Sequence, residues 1–255
     1  MGGAGPALAS GSKCSAQDGA RALGIMGSIA SNLQQVKGRI AAACAHAGRS
    51  TDGVTLLAVS KTFGAEAVLQ ALAAGQHAFG ENYVQEALAK IEALAALRPQ
   101  LEWHLIGPLQ SNKTRPVAAA FDWVHTVDRL KIAQRLAEQR PAGLPPLNLC
   151  LQVNVGAEAS KSGVPPAELL PLARAVAALP ATRVRLRGLM SIPESSAEVA
   201  AQRHSHRVLR ELLATLQAQG LALDTLSMGM SADLEAAVAE GSTLVRVGSA
   251  IFGAR

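Results

Sequence analysis

The stretch Val54-Thr55-Leu56-Leu57-Ala58-Val59-Ser60-Lys61 decides the fold, because it is predicted to form a buried strand that ends in a lysine. Five of its first six residues are apolar, which is too short a run for an isolated helix and typical of a parallel strand covered on both faces. Gly64 and a helix-like run at 66–74 follow, so Lys61 lies where a strand passes into a helix. Ligands of α/β proteins bind at this end of the strands. Lys61 is therefore either a lysine that reaches solvent or an amine that forms a Schiff base with an aldehyde.

The same order of strand and helix repeats along the rest of the chain. Alternation of this kind demands parallel strands with right-handed crossovers, and eight strands favour a closed (β/α)8 barrel of the TIM type over an open sheet. The sequence thus predicts an α/β fold with one barrel. The predicted strands are 54–60, 77–80, 102–106, 122–126, 147–155, 184–190, 224–228 and 243–247. The predicted helices between them are 65–74, 83–96, 128–139, 166–178, 197–219 and 231–239, and the connection at 111–120 is the weakest helix.

The residues before the first strand are predicted to form a disordered extension followed by an extra N-terminal helix. Residues 1–25 are rich in Gly, Ala and Ser and show little periodicity, which leaves 26–255 for the barrel domain. A helix is predicted from Ser28 to Ala47 and ends at Gly48. Because the chain stops soon after the eighth strand, this helix is expected to cover the place of a missing eighth barrel helix. Met26 directly precedes it and is a candidate start codon.

Composition narrows the classes of partner. The net charge is +5 and the isoelectric point is near 9.4, which favours an anionic ligand. Nucleic acid is disfavoured, because the basic residues are spread along the chain and aromatic residues, at 3%, are too scarce for stacking. No apolar run approaches the ~20 residues that a membrane-spanning helix needs. A phosphorylated small molecule is the simplest ligand that remains.

Cysteine usage favours a reducing compartment. Cys14, Cys44 and Cys150 are odd in number and far apart, which argues against a disulfide framework and against a structural zinc site. A cytoplasmic location is therefore expected, and no metal site is predicted. The N-terminal segment gives only weak support to a mitochondrial transit peptide.

Polar residues collect at the predicted C-terminal ends of the strands, where barrel active sites are built. Strand ends need turn residues in any case, but Lys61, His104, Asn154 and Arg246 are not turn formers. We therefore predict a ligand site at this rim. Its candidate residues are Lys61, Asn82, His104, Asn154, Met190, Ser227, Gly229, Met230, Ser231, Arg246, Gly248 and Ser249.

The segments after strands seven and eight predict a phosphate site. Gly229 and Gly248 permit a close backbone approach, and Ser227, Ser231 and Ser249 offer hydroxyl donors to an anion. These two loops are the usual phosphate site of this fold. Strands one and eight are neighbours in a closed barrel, so an amine on strand one beside this site suits a phosphorylated aldehyde.

Arg246 constrains the chemistry of such a ligand. It lies in the middle of an apolar strand, where a buried cation needs partners. A guanidinium donates hydrogen bonds and does not give up its proton in practice. A pyridine nitrogen that met Arg246 would stay unprotonated, and the ring would then be a weak electron sink.

Long motifs in collinear order carry a resemblance to a known family. They are AVSKT at 58–62, FGENYVQEA at 79–87, EWHLIGPLQSNK at 102–113, DWVHTVDRL at 122–130, QVNV with SKSG within 152–163, RGLMSIP at 187–193, LSMGMSADLEAA at 226–237 and STLVRVGSAIFGAR at 242–255. With these motifs the chain resembles the pyridoxal phosphate homeostasis protein family over roughly residues 28–255.

This resemblance implies a single barrel similar to the cofactor domain of bacterial alanine racemase. It implies pyridoxal 5'-phosphate (PLP) bound covalently as an internal aldimine on Lys61, with the phosphate at Ser227–Ser231 and Arg246–Ser249. The family carries or buffers PLP in vitamin B6 and amino-acid homeostasis, without evident catalysis, and PLP-dependent apoenzymes are the implied recipients. Phe63 departs from the family, because some members have a second lysine there, whereas Lys161 matches a further family lysine.

An alanine racemase-like PLP enzyme is the alternative. Racemisation needs an acid or base on each face of the substrate carbanion, and Lys61 serves only one face. In alanine racemases a tyrosine of a second domain serves the other, whereas the single tyrosine of this chain is Tyr83, just after strand two. The carrier is therefore preferred, and a Schiff-base aldolase lacks an acid partner near the lysine.

Two groups outside the rim are interpreted as surface residues. His204 and His206 are two positions apart on a predicted helix and so do not share a face, which argues against a metal site. Glu235 and Glu240 lie in an alanine-rich helix and are expected to be solvated.

Overall fold

The strands close into a parallel barrel. The computed structural model describes residues 1, 16–156 and 162–253. Eight strands pair in sequence order, and β1 pairs with β8, so the predicted barrel is confirmed. The strands are β1 Thr55–Val59, β2 Ala78–Glu81, β3 Glu102–Leu105, β4 Trp123–Val127, β5 Leu147–Gln152, β6 Val184–Met190, β7 Thr225–Ser227 and β8 Leu244–Val247.

Helices surround the barrel at nearly the predicted positions. The α-helices are α1 Ala16–His46, α2 Ala65–Ala73, α3 Val84–Ala93, α4 Thr114–Ala120, α5 Leu130–Gln139, α6 Pro166–Ala177, α7 Val199–Ala218, α8 Leu234–Ala239 and α9 Ser249–Phe252. Short 3-10 helices lie at Thr51–Gly53, Ala95–Gln100 and Ser111–Lys113. The last of these precedes α4, so the weak helix predicted at 111–120 consists of two pieces.

Helix α1 begins earlier than predicted. Its first residue is Ala16, so residues 16–25 are helical where disorder was expected, and residues 2–15 lie outside the described residues. Alanine and leucine in this segment favour a helix enough to outweigh its glycines. Helix α1 packs against α2, α8 and α9, which is the place an eighth barrel helix would take. Its buried residues include Ile29, Leu33, Val36, Ile40, Ala43 and Cys44, spaced as one helical face.

The interior of the barrel has an apolar part and a polar part. The apolar part is a cluster separate from the core between strands and helices, formed by Leu57, Val59, Ala78, Ile106 and Leu244. Trp123, Cys150 and Met190 form a second small cluster on the other side. The polar part is formed by the buried side chains of His104, His125, Ser227 and Arg246. The fold thus places polar groups below the rim at β3, β4, β7 and β8.

Cysteine, metal and membrane features follow from the described residues. Cys44 and Cys150 are buried free thiols, and Cys14 lies outside the described residues. Burial raises the pKa of Cys150 to about 12, so its thiol stays protonated at neutral pH. Across 16–156 and 162–253, no group of three His, Cys, Asp or Glu side chains is placed to hold a metal. None of the described helices is long and apolar enough to cross a bilayer.

Candidate functional site

Lys61 lies directly beyond β1 at the C-terminal end of the barrel. It is half-buried, and only Ser60 separates it from Val59, the last residue of the strand. Alternate residues of a strand share a face. Leu57 and Val59 belong to the interior cluster, whereas Ser60 Oγ donates outward to Glu81, so continued alternation directs Lys61 toward the mouth of the barrel.

The backbone after Lys61 adopts a strained conformation. Thr62 has φ of 66°, which is disfavoured for a β-branched residue. Its N–H donates to Glu86 Oε1, and its Oγ1 donates to the carbonyl of Lys61 at 2.6 Å. These contacts hold a turn that the local sequence would not prefer, and such strain concentrates at functional sites.

The turn at Gly248 lies beside Lys61. Leu57 pairs with Arg246 and Ala58 with Val247, which places Gly248 next to Val59. A Cβ atom at Gly248 would lie 3.2 Å from the Val59 carbonyl oxygen and 3.3 Å from its Cβ, so the two strand ends pack closely. The end of β1, which carries Lys61, and the segment after β8 are therefore adjacent, as the barrel topology predicts.

Arg246 places a positive charge in the polar part of the interior. Its Nη1 donates to Ser227 O at 2.6 Å and to Ser227 Oγ at 2.8 Å, and its Nη2 donates to Ser191 O at 2.9 Å. Burial lowers the pKa of Arg246 to about 10, which still leaves it protonated at neutral pH. Because these three acceptors are neutral, the guanidinium makes this end of the barrel attractive to an anion or to a lone pair.

Ser191 was not among the predicted site residues. Its Oγ is buried and has no hydrogen-bond partner within the part of the chain that the structure describes. A buried hydroxyl without a partner is unfavourable, so a polar ligand atom would satisfy it. Its place beside Arg246 fits a ligand with a polar ring or an anionic group.

The segment after β7 is a loop held against helices α1 and α8. Gly229 has φ of 95°, and a Cβ atom there would lie 2.5 Å from Ala237 Cβ, so only glycine fits. Met230 N–H donates to Asp233 Oδ1 at 2.6 Å, so this donor is already engaged within the protein. From α1, Arg39 Nη2 donates to the Ser231 carbonyl at 2.9 Å. The predicted phosphate segment is thus held in one conformation.

His206 supports this loop. It is buried, although the sequence predicts a surface position. It is fully buried, because it shares the inner face of α7 with Leu209 and Leu213, and its Nε2 lies 3.0 Å from Asp233 Oδ2. Burial alone would raise the pKa of Asp233, but hydrogen bonds from His206 and from Met230 N–H lower it. His204 is exposed.

Glu240 is also buried, where solvation had been expected. Its side chain is 1% exposed because three arginines of α7 cover it, namely Arg203, Arg207 and Arg210. Glu235 is more exposed and pairs with Arg39 at 2.8 Å.

Asn82, Asn154 and Met190 lie at the ends of three further strands. Asn82 is half-buried after β2, and a Cβ atom at Gly107 would lie 2.0 Å from its carbonyl oxygen. Asn154 follows β5 and donates its N–H to Val164 O at 3.0 Å. Met190 ends β6 and is fully buried in the interior. A cavity of about 360 Å³ opens beyond β5 and β6, and Asn154 lines it together with Ile192.

His104 does not lie at the rim, and the predicted contact with a ligand does not fit its geometry. Its Nε2 lies 2.7 Å from Glu102 Oε1 and its Nδ1 lies 2.9 Å from His125 Nε2, so both ring nitrogens are already bonded. His104 has these partners because its side chain faces the barrel interior from within β3, a strand of four residues. His125, which is 2.8 Å from Ser227 Oγ, is the histidine that touches the site residues.

Comparison with known proteins finds relatives that match most of the chain. The family profile described as the N-terminal domain of alanine racemase matches residues 31–255. The pyridoxal phosphate homeostasis protein of Pseudomonas aeruginosa is 63% identical over 90% of this chain and 97% of its own length. That of Escherichia coli K12 is 56% identical over 90% of this chain and 98% of its own.

Solved structures show the same barrel. PipY of Synechococcus elongatus with PLP bound is 39% identical, with a TM-score of 0.76, over 88% of this chain and 100% of PipY. Alanine racemase of Corynebacterium glutamicum is 19% identical, with a TM-score of 0.68, and this chain covers 62% of it, which shows a shared fold. By its curated relatives, the chain belongs to the pyridoxal phosphate homeostasis protein family.

Proposed function

We propose that this protein binds PLP at the C-terminal end of the barrel, covalently on Lys61, and carries or buffers it in vitamin B6 and amino-acid homeostasis. The observation that carries the proposal is the arrangement of Lys61 and Gly248 on adjacent strand ends, above the buried cation of Arg246. A phosphorylated aldehyde suits an amine and a cationic site at once. The names of the relatives and the PLP-bound PipY structure support this choice.

Each group of the site has a separate task in this proposal. Lys61 supplies the amine, and the loops at 227–231 and 248–249 receive the phosphate. Arg246 donates toward the ring nitrogen, and Ser191 Oγ gains the partner that it otherwise lacks among the described residues. PLP supplies an aldehyde and an electron sink, and a donor at the ring nitrogen keeps that sink weak. A weak sink is appropriate for a carrier.

The first prediction locates the covalent bond. Adding PLP should produce a visible absorption band distinct from that of free PLP, and borohydride should fix one cofactor on Lys61, as found by peptide mass mapping. Lys61→Ala should lose the fixed label and still bind PLP non-covalently, because charge-assisted hydrogen bonds to phosphate contribute ~1.5–3 kcal/mol each.

Lys113→Ala is the matched control, since Lys113 follows β3 at the same end of the barrel. It should retain the label. A label on another lysine in the unmodified protein, or an unchanged label in Lys61→Ala, would contradict the assignment.

The second prediction concerns release to PLP-dependent apoenzymes. Lys61 is only half-buried, so water and other amines can reach the covalent bond and reverse it. Loaded protein should reactivate an apo-transaminase in the presence of a phosphatase that destroys free PLP. Free PLP at equal concentration should fail under the same conditions. If loaded protein and free PLP both fail to reactivate the apo-transaminase, the role of this protein is storage of PLP rather than delivery.

A further inference from the structure

Helix α3 carries a lysine on its buried face. Val84, Ala87 and Lys90 follow one another at intervals of three residues, and all three are buried. Lys90 is 5% exposed, and a buried ammonium is unfavourable unless it is paired and hydrogen-bonded. An apolar residue would pack there without needing a charged partner or hydrogen bonds. The contacts of Lys90 therefore indicate the role of this lysine.

Those contacts join the end of β1, the end of β2 and helix α3 next to Lys61. Lys90 Nζ donates to Glu81 Oε1 at 2.6 Å and to the carbonyl of Ser60 at 2.7 Å, and it lies 2.8 Å from Glu86 Oε1. Ser60 Oγ donates to the same Glu81 oxygen at 2.6 Å. One ammonium therefore ties the end of β1 to the end of β2 and to α3.

Lys61 lies between two backbone groups that this cluster holds. The carbonyl of Ser60 accepts from Lys90, and the N–H of Thr62 donates to Glu86. Thr62 remains at φ of 66° under these contacts. A strained backbone persists only where its surroundings determine it, and here Lys90, Glu81 and Glu86 do so.

The cluster has two carboxylates and one ammonium. Burial raises the pKa of Glu81, while hydrogen bonds from Lys90 and Ser60 oppose that rise. Glu81 Oε2 is buried without a hydrogen-bond partner in the described part of the chain. A variant that removed Lys90 alone would leave this carboxylate buried and uncompensated, so Glu81 must be changed together with Lys90.

We propose that Lys90 and Glu81, with Glu86, are positioning residues that hold the backbone on both sides of Lys61 in the conformation from which its amine captures an aldehyde. The inference rests on the proposed function of Lys61. In the capture step, neutral Lys61 Nζ adds to the aldehyde carbon, the carbon–oxygen bond breaks, and the oxygen leaves as water with the two amine hydrogens. Reactions of this kind are sensitive to displacements of about 1 Å.

The test uses the double variant Lys90→Met with Glu81→Gln, which removes both charges at similar size. Arg98→Met is the control, because it removes the Arg98–Asp122 pair at the opposite end of the barrel. Three quantities are measured: hydrogen exchange of residues 60–63 without ligand, affinity for pyridoxine 5'-phosphate, which has no aldehyde, and the rate of borohydride-fixable capture of PLP on Lys61.

The double variant should exchange faster at 60–63 and capture PLP about 10–100-fold more slowly, with affinity for pyridoxine 5'-phosphate within about twofold. Arg98→Met should change none of these quantities. Capture at the unmodified rate, or affinity lost in parallel with capture, would overturn the proposal, since the latter is what a merely structural role produces.

A second variant and the hydrogen-exchange data keep the outcome decisive. If the double variant does not fold, Ser60→Ala removes one hydrogen bond to Glu81, and capture slowed severalfold with unchanged pyridoxine 5'-phosphate affinity supports the proposal, whereas unchanged capture refutes it. If the unmodified protein captures nothing on Lys61, the proposed function has failed. Hydrogen exchange of Thr62 in the ligand-free variants then still decides whether the cluster holds this backbone.

Discussion

The charge of Arg246 inside the barrel is balanced at a distance by the carboxylate of Glu102. A chain of hydrogen bonds through Ser227, His125 and His104 joins the two groups. Because the carboxylate of Glu102 accepts, His104 Nε2 carries a proton. His104 Nδ1 then accepts from His125 Nε2, and His125 Nδ1 accepts from Ser227 Oγ, which itself accepts from Arg246. We assign both rings as neutral on this basis. Donors thus run in one direction from the cation to the half-exposed carboxylate of Glu102.

A pH dependence of stability follows from His125. Burial, together with the positive charge of Arg246, holds the pKa of His125 well below 6.5. Between that pKa and ~6.5 the unfolded chain binds more protons, so the free energy of unfolding falls as pH drops below ~6.5, by up to ~1.4 kcal/mol per pH unit. Urea denaturation at several pH values should show this loss.

His125→Asn should flatten the profile in that window, because asparagine does not titrate. His204→Asn should leave it unchanged, since His204 is exposed. An equally steep profile in both variants would assign the dependence to other groups.

At the scale of elements, α1 both completes the ring of helices and supports the site. It packs on α2, α8 and α9, and Asn32 Nδ2 donates to Ile251 O at 2.9 Å in α9. Arg39 of the same helix bonds Glu235 and the carbonyl of Ser231. The N-terminal helix is therefore bonded directly to the loop at 227–231 and to α9, which follows the loop at 248–249.

Leu33→Ala tests the packing of α1. Leu33 is fully buried, so the truncation should lower the free energy of unfolding by about 2–5 kcal/mol. Gln35→Ala is the control on the exposed face and should change stability by less than ~0.5 kcal/mol. Chemical denaturation measures both, and equal small effects would show that α1 adds little to the stability of the barrel.

At the scale of the whole molecule, the described residues form one barrel with Lys61 at one mouth and Glu102 at the other. In the proposed complex, Lys61 would provide an amine on one face of the bound ring. Tyr83, the one tyrosine in the sequence, is exposed at the start of α3. Arg246 at the ring nitrogen would weaken the electron sink. These features suit retention of the cofactor more than cleavage of a Cα–H bond.

We therefore expect loaded protein to racemise L-alanine at a rate far below the ~1 s⁻¹ of an ordinary enzyme. Incubation in deuterated water, with detection of Cα exchange and of D-alanine, measures this directly, and an alanine racemase serves as the positive control. Sustained turnover that Lys61→Ala abolishes would make the protein an enzyme rather than a carrier.

The sequence alone determined the barrel and the position of its amine. Apolar runs separated by helical stretches specify strands and helices locally, and strict alternation leaves few topologies. The proximity of Lys61 to Gly248 follows at once, since the first and last strands of a closed barrel are neighbours. The motifs also specified the family from the sequence alone, because each of them lies within a continuous segment.

Only the tertiary structure decided how polar groups pair across the barrel. Ser227 and His125 are 102 residues apart, and Arg246 and Ser191 are 55 apart, so no local pattern indicates their contacts. A visible signal existed for Lys90, a lysine on an otherwise apolar helix face, but its partners lie on β1 and β2. His104 and His206 were misplaced because the side of a strand or helix that meets the core depends on packing. Local sequence sets the period of each element, whereas burial and hydrogen bonding are settled when distant elements meet.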